Sequence, residues 1–175
     1  MDLGSGERRL REEVVNLDVV PSPLVDVVAD GHRLPFPEGA FDAIILQSVI
    51  EHVREPELMI AESARVLKKG GVLWVEAPFL YPVHDESDYY RWTVQGLQHV
   101  VSKHLEVTRY GILMGPSAAL SLGWRSYLMW KLRNLHWGVR NAAAWATTWL
   151  KLIDGDEASL SPEAYALSFV VGTKV

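Results

Sequence analysis

Four short apolar runs rich in β-branched residues constrain the fold of this chain more than any other feature. They lie at residues 14–19 (V-V-N-L-D-V), 25–30 (V-D-V-V-A-D), 41–46 (F-D-A-I-I-L) and 72–77 (V-L-W-V-E-A). The first two end at acids, Asp18 and Asp30, and the last is introduced by Gly70-Gly71 and stopped by Pro78. Runs this apolar are expected of parallel strands covered on both faces. Helical patterns separate or follow them. Residues 56–67 carry Pro56 at a first helical position, early acids, and Lys68-Lys69-Gly70 as a stop, with Leu58, Ala61, Ala64 and Leu67 predicted near one face. Residues 93–101 form a second predicted helix, with Thr93 as its N-cap. Further strands are expected over 105–114 and 164–173. Strands alternating with helices, joined by right-handed crossovers, predict an α/β fold: a Rossmann-like, doubly wound, mostly parallel sheet with helices on both faces. Such sheets bind ligands beyond the C-terminal ends of their strands.

Size and composition narrow the function. A chain of 175 residues suits one domain, 1–175. The absence of cysteine excludes disulfide scaffolds, thiolate-bound zinc and thiol nucleophiles. A net charge of -5 argues against a basic nucleic-acid binder, so no nucleic-acid partner is expected. No apolar leader pattern opens the sequence, and no apolar run reaches the roughly 18–20 residues that span a bilayer. A cytoplasmic protein is the expectation.

Charge is unevenly spread. Residues 1–106 hold 10 Lys+Arg against 18 Asp+Glu, whereas residues 107–175 hold 7 against 4. Between Glu106 and Asp154 no acid occurs, and five of the seven tryptophans (Trp124, Trp130, Trp137, Trp145 and Trp149) fall there. The segment 117–153 therefore reads as a Trp-rich, basic helical insert before the last strand. On a helical projection Arg125, Arg133, His136, Arg140 and Lys151 share a sector, with Lys131 outside it. Leu120, Trp124, Leu128, Leu135, Ala142 and Trp149 fall on other faces, and Gly138 is a predicted break between two helices. Three readings stand open: a peripheral membrane contact, a lid over an acceptor pocket, or a hairpin packed on the core or in a homodimer.

Asp2-Leu3-Gly4-Ser5-Gly6 is the first candidate site. Glycines one residue apart permit a tight turn and close backbone approach to a ligand, and they also mark ordinary glycine turns. The third glycine of a dinucleotide fingerprint would fall at Arg9, and no Gly-Lys-Ser/Thr follows, so neither a dinucleotide nor a Walker loop is predicted. Asp18, at the end of a strand, is placed to accept ribose hydroxyls or simply to shape the turn into Pro21. Asp30-Gly31 is placed to meet a base edge or to form a simple turn.

In order, these elements resemble the class I S-adenosylmethionine-dependent methyltransferases of the small-molecule, ubiquinone-biosynthesis-like type. The resemblance rests on Asp2, Gly4 and Gly6, on Asp18, on Asp30-Gly31, and on L-P-F-P-E-G-A-F-D (34–42), S-V-I-E-H-V (48–53) and R-V-L-K-K-G-G (65–71), and it covers about residues 2–114. It implies S-adenosylmethionine as cofactor and methyl transfer to a small-molecule acceptor, lipid- or glycan-linked acceptors included. A degenerate, non-catalytic binding or scaffolding protein is the alternative. It implies that Asp2, Gly4 and Gly6 lie under the methionine part of the cofactor, that Asp18 binds the ribose with Val19 against the adenine, that Asp30 and Gly31, with His32 beside them, meet the adenine edge, and that Gln47 approaches the amino-acid end.

Two departures from that pattern carry expectations. Only Met1-Asp2-Leu3 precedes Gly4, so the expectation is a misassigned or truncated start, a gap filled by another chain, or a shortened sheet with altered strand pairing. The interval from Gly6 to Asp18 leaves room for about two solvent-facing helical turns over residues 7–14. The last candidate is Y-P-V-H-D-E-S-D-Y-Y-R-W-T at 81–93, which reads as a lid or acceptor loop, or as a loop tied by an Arg91–acid pair. His84 is the first candidate for a general base there and Tyr89 the second. No metal site is expected, since His84-Asp85 has no second histidine at helical spacing.

Overall fold

The structure is a computed structural model, and it describes residues 1–138, 141–142 and 165–175. Seven strands form one sheet: β1 (Asp2–Leu3), β2 (Asn16–Asp18), β3 (Val27–Val28), β4 (Phe41–Gln47), β5 (Leu67–Pro78), β6 (Glu106–Met114) and β7 (Leu167–Thr173). Their spatial order is β3-β2-β1-β4-β5-β7-β6. β1 to β5 are parallel, and β7 runs antiparallel between β5 and β6. The order reverses at β1, so the crevice between the ends of β1 and β4 is the switch point where ligands are expected. The predicted fold class is thus realised.

The first strand is short but keeps the central position, and the expected alternative of altered pairing is not what forms. Asp2 pairs with Asn16 on one side and with Ile45 on the other, and the Met1 carbonyl accepts the Ile45 amide at 3.0 Å. The two turns of helix expected over residues 7–14 are also corrected. That segment is a series of turns, because its arginines are drawn into the protein. Arg9 bonds the Val14 and Leu24 carbonyls and Asp26, and the half-buried Arg8 pairs with Asp2.

Helix α1 (Pro56–Val66) starts at Pro56 as predicted. Its buried face is Met59, Ile60, Ser63, Ala64 and Val66; of the predicted face Ala64 and Leu67 are buried and Ala61 is half-buried, while Leu58 is exposed. The phase of α1 follows Ile60 and Val66, which are fully buried. Helix α2 (Val94–Ser102) is capped by Thr93, whose hydroxyl accepts the Gly96 amide at 3.0 Å. The core joins Leu3, Leu17, Ile44, Leu46, Leu73 and Val75 of the sheet to Ile60 of α1 and Leu97 and Val101 of α2. Each fully buried Leu or Ile stabilises the fold by roughly 1.5–3 kcal/mol.

Helix α3 (Pro116–Lys131) follows β6 and holds the first half of the predicted insert. It ends at Lys131, seven residues before the predicted break at Gly138, where the Leu132 amide closes the last turn on the Leu128 carbonyl. Ala118 and Ser121 face inward, while Leu120, Trp124, Tyr127 and Trp130 form an exposed stripe at steps of four, three and three residues. Arg140, Trp145, Trp149 and Lys151 lie outside the described residues. Among the described residues, no helix is long and apolar enough to cross a membrane.

Candidate active site

The chain leaves β1 through a left-handed turn. Gly4 has φ +75° and Gly6 φ +55°, values an L side chain rarely adopts. Gly4 is additionally held by contact: a Cβ there would lie 2.5 Å from the Val49 Cγ2. The turn is tied to β2, because the Leu17 carbonyl accepts the Gly4 amide at 2.8 Å and the Asp18 carboxylate accepts the Gly6 amide at 2.8 Å. The second Asp18 oxygen accepts the Val20 amide at 2.9 Å, so the carboxylate is fixed from both sides. At the end of β3, Asp30 accepts the His32 amide at 2.9 Å and faces the His32 Nδ1 at 2.6 Å, contacts that hold its carboxyl below the usual range.

These pieces meet. Gly4, Gly6, Asp18, Val19, Asp30, Gly31 and His32 line one cavity of about 820 Å3, closed on the other side by Ser48, Val49, Met59, Asp85 and Tyr89. Asp2 and Gln47 stand apart from that lining. The fully buried Asp2 carboxylate forms a two-point pair with Arg8 at 2.6 and 3.0 Å, and a third Arg8 nitrogen donates to Gln47 Oε1 at 2.6 Å. Gln47 in turn bonds Glu76, a carboxyl that burial pushes upward. Arg8 therefore braces the ends of β1 and β4 behind the glycine turn. The sequence offered no cue for it, because its partners lie on two strands six and 39 residues away.

Beyond β4 the backbone turns at Ser48, whose φ of +52° is the only left-handed one outside glycine among the described residues. A 3-10 turn (Ile50–His52) follows. Glu51 is fully buried, neither carboxylate oxygen has a hydrogen-bond partner, and burial pushes its pKa up to about 7. His52 Nε2 stands 3.7 Å from Glu51 Oε1, while its Nδ1 lies 3.0 Å from the Ser87 carbonyl.

The loop after β5 brings His84 back over this turn, its ring edge-on to that of His52 with centroids 5.0 Å apart. His84 Nδ1 lies 3.0 Å from Asp88 Oδ2, and Asp88 is bonded through both oxygens to Arg91. The Arg91 guanidinium, hydrogen-bonded to it, holds the Asp88 carboxyl down at about 2. The Arg91–acid pair expected for this loop is thus present. Tyr89 is exposed at the rim of the large cavity, its phenol lowered by hydrogen bonds with Ser87 and Arg54. Glu51 and His84 line a second cavity of about 350 Å3 together with Ser48, Tyr81, Met114 and Leu122. Tyr81 also borders an apolar groove of about 700 Å3 against Leu120 and Trp124 of α3. Sequence reasoning left Glu51 without a role. The usable cue was that 48–53 and 81–93 both follow the C-terminal ends of sheet strands.

Residues 2–75 match the profile of a methyltransferase domain. The ubiquinone/menaquinone biosynthesis C-methyltransferase UbiE of Pasteurella multocida is 32% identical over 104 residues, 57% of this chain and 38% of that protein. A demethylmenaquinone methyltransferase of Renibacterium salmoninarum is 41% identical over 61 residues, 34% of this chain and 25% of that protein. This chain thus spans well under half the length of these relatives. Among solved structures, the [4+2]-cyclase SpnF superposes with a TM-score of 0.54 at 21% identity, covering 87% of this chain and 58% of that one. A Haemonchus contortus phosphoethanolamine-type N-methyltransferase, solved with S-adenosylhomocysteine, superposes with a TM-score of 0.50 at 13% identity, covering 85% and 36%. At such identities the superpositions speak for the fold alone. The sheet order, the glycine turn tied to Asp18 and the domain match over residues 2–75 are thus similar to those of class I S-adenosylmethionine-dependent methyltransferases.

Proposed function

We propose that the chain binds S-adenosylmethionine in the large cavity and directs its methyl group to a small-molecule acceptor held in the second cavity. The observation that carries this reading is the convergence of Gly4, Gly6, Asp18 and Asp30 on one cavity that shares Ser48 with the next. The Gly4–Gly6 turn lets the backbone approach the cofactor closely. Each Asp18 oxygen accepts one amide and keeps lone-pair capacity for a ribose hydroxyl. Val19 offers an apolar surface to the base, and Asp30, Gly31 and His32 line its edge. Asp2 and Gln47 act from behind, through Arg8, by fixing the strand ends that carry the turn.

The cofactor supplies a methyl group on a sulfonium, an electrophile that needs alignment more than activation. The protein's part is to position the acceptor and exclude water. His84 is oriented for this by Asp88 and lines the acceptor side, while Tyr89 closes the cofactor side. The apolar groove that shares Tyr81 with the acceptor cavity supports an amphiphilic acceptor, its reactive head beside His84 and its apolar part along Leu120 and Trp124. Lipid-linked molecules fit that description, and a stripe of exposed aromatics on α3 is suited to collecting one from an apolar phase.

Isothermal titration of the full chain with S-adenosylmethionine and S-adenosylhomocysteine tests the reading. One site per chain is expected for both. A folded chain that takes up neither overturns it.

A further inference from the structure

We propose that Glu51, His52 and His84 form a binding site for a first-row divalent transition-metal cation at the junction of the two cavities. Its role in catalysis rests on the methyl-transfer reading above. Its existence does not.

One carboxylate oxygen and one nitrogen from each imidazole lie within 4.8 Å of one another. Donors bound at about 2.0–2.2 Å to a common ion sit roughly 3–4 Å apart, so a contraction of about 1 Å closes the set. The need for a cation is visible in Glu51 itself. Its side chain is fully buried, and both oxygens lack a hydrogen-bond partner. The nearest basic nitrogen, His52 Nε2, stands at 3.7 Å, beyond hydrogen-bond reach, and Arg91 is committed to Asp88. A buried carboxylate with no partner is costly, a cost that either a proton or a bound cation removes.

The two histidines are prepared as ligands. His52 Nδ1 lies 3.0 Å from the Ser87 carbonyl, and His84 Nδ1 lies 3.0 Å from the Asp88 carboxylate and 3.3 Å from the Pro82 carbonyl. Those acceptors hold the proton on Nδ1 of each ring and leave the Nε2 lone pair for a metal, the arrangement that orients imidazole ligands in metal sites. Asp88 is itself locked by Arg91, so the His84 ring is positioned at one remove by a half-buried ion pair. One carboxylate with two imidazoles suits manganese, iron, cobalt or zinc. Three protein donors leave open positions, and Glu51 and His84 line the acceptor cavity, so those positions face the acceptor.

The chemical class of acceptor follows: a molecule with a hydroxyl able to coordinate the ion. Coordination lowers the pKa of that hydroxyl, and its proton leaves to solvent. The oxygen then forms the new O–CH3 bond as the C–S bond breaks and its electron pair stays on sulfur. With Nε2 bound to the ion, His84 holds the acceptor through the metal and takes no proton itself.

The test uses cobalt(II) with the untagged full chain, stripped by a chelator and dialysed against CoCl2. We expect one cobalt per chain and visible absorption bands of mixed nitrogen and oxygen ligation. Glu51→Gln and His84→Ala are each expected to weaken binding by about 10–100-fold and to remove the bands. His52→Gln serves as the third variant should one of these fail to fold by circular dichroism. No saturable cobalt uptake by the wild-type chain, or uptake unchanged in the folded variants, overturns the site. S-adenosylhomocysteine titrated into the same metal-free sample separates the two claims. Nucleoside binding without cobalt binding sinks the metal site alone, and cobalt binding without nucleoside binding sinks the methyl-transfer reading alone.

Discussion

The Asp18 carboxylate reaches back twelve residues to accept the Gly6 amide at 2.8 Å. With that bond the end of β2 sets the conformation of the turn that leaves β1, and one side chain both shapes the cavity and lines it. Asp18→Ala therefore removes two charge-assisted hydrogen bonds at once, each worth about 1.5–3 kcal/mol where desolvated and less at this partly open position. The expected outcome is a loss of about 1–2 kcal/mol in urea unfolding and a rise of at least about tenfold in the Kd for S-adenosylhomocysteine. Titration calorimetry on the folded variant reads the second effect separately from the first.

The two glycines of the turn are predicted to fail differently. Both have positive φ, which costs an L-residue about 1–2 kcal/mol. At Gly4 an added methyl also lands 2.5 Å from Val49 Cγ2 in the packed junction, whereas at Gly6 nothing lies within 4 Å. Gly4→Ala should lower stability by about 3 kcal/mol, overpacking included. Gly6→Ala should lower it by only about 1 kcal/mol, yet weaken cofactor binding, because the methyl enters a cavity its own residue lines. Equal losses of stability in the two variants would contradict the account.

How much of this was legible beforehand depends on whether a residue's partners were near in sequence or far. The strands were visible as short apolar runs rich in β-branched residues, although alternate residues such as Ile44, Leu46, Leu73 and Val75 are fully buried while Val28 and Val72 are exposed, and Thr93 and Pro56 were visible because caps and first turns obey local rules. Asp18 and Asp30 were placed by their position at strand ends, which topology turns into one cavity. The segment 7–14 was misjudged since its Glu-Arg composition suggested a solvated helix, while Asp2, Gln47 and Asp26 capture its arginines across the fold. Leu58 was assigned to the core by periodicity, although only the sheet decides which face of α1 is covered. The Glu51–His52–His84 cluster escaped because its members come from the ends of β4 and β5, separated by more than thirty residues. Metal-ligand spacing rules address single helices and loops, not strand ends brought together by a sheet.

Arg8 supplies the third prediction. Its guanidinium spans Asp2 and Gln47, and the Asp2 side chain is fully buried. Arg8→Leu leaves that carboxylate buried and unpaired, a change expected to cost about 3–5 kcal/mol. Adding Asp2→Asn should recover a good part of the loss, because the stranded charge is then gone. A double-mutant cycle by urea unfolding checks this: additive losses would mean that the pair does not brace the strand ends.

The last prediction concerns acid stability, through the ion pair that orients His84. Arg91 holds the buried Asp88 carboxyl at about 2, against an ordinary value of 3.8. A carboxyl depressed in the folded state adds stability that is complete above its unfolded pKa and is lost as the pH falls through its folded one. At about 1.36 kcal/mol per unit, the contribution here is on the order of 2 kcal/mol. It should be fully present at pH 5, decline below pH 4 and be largely gone near pH 2. Asp88→Asn has no such proton to gain. The stability gap between wild type and Asp88→Asn should therefore narrow steadily from pH 5 toward pH 2, as measured by urea unfolding at each pH. A gap that stays constant across that window would show that the charge on Asp88 does not hold the loop, and with it His84, in place.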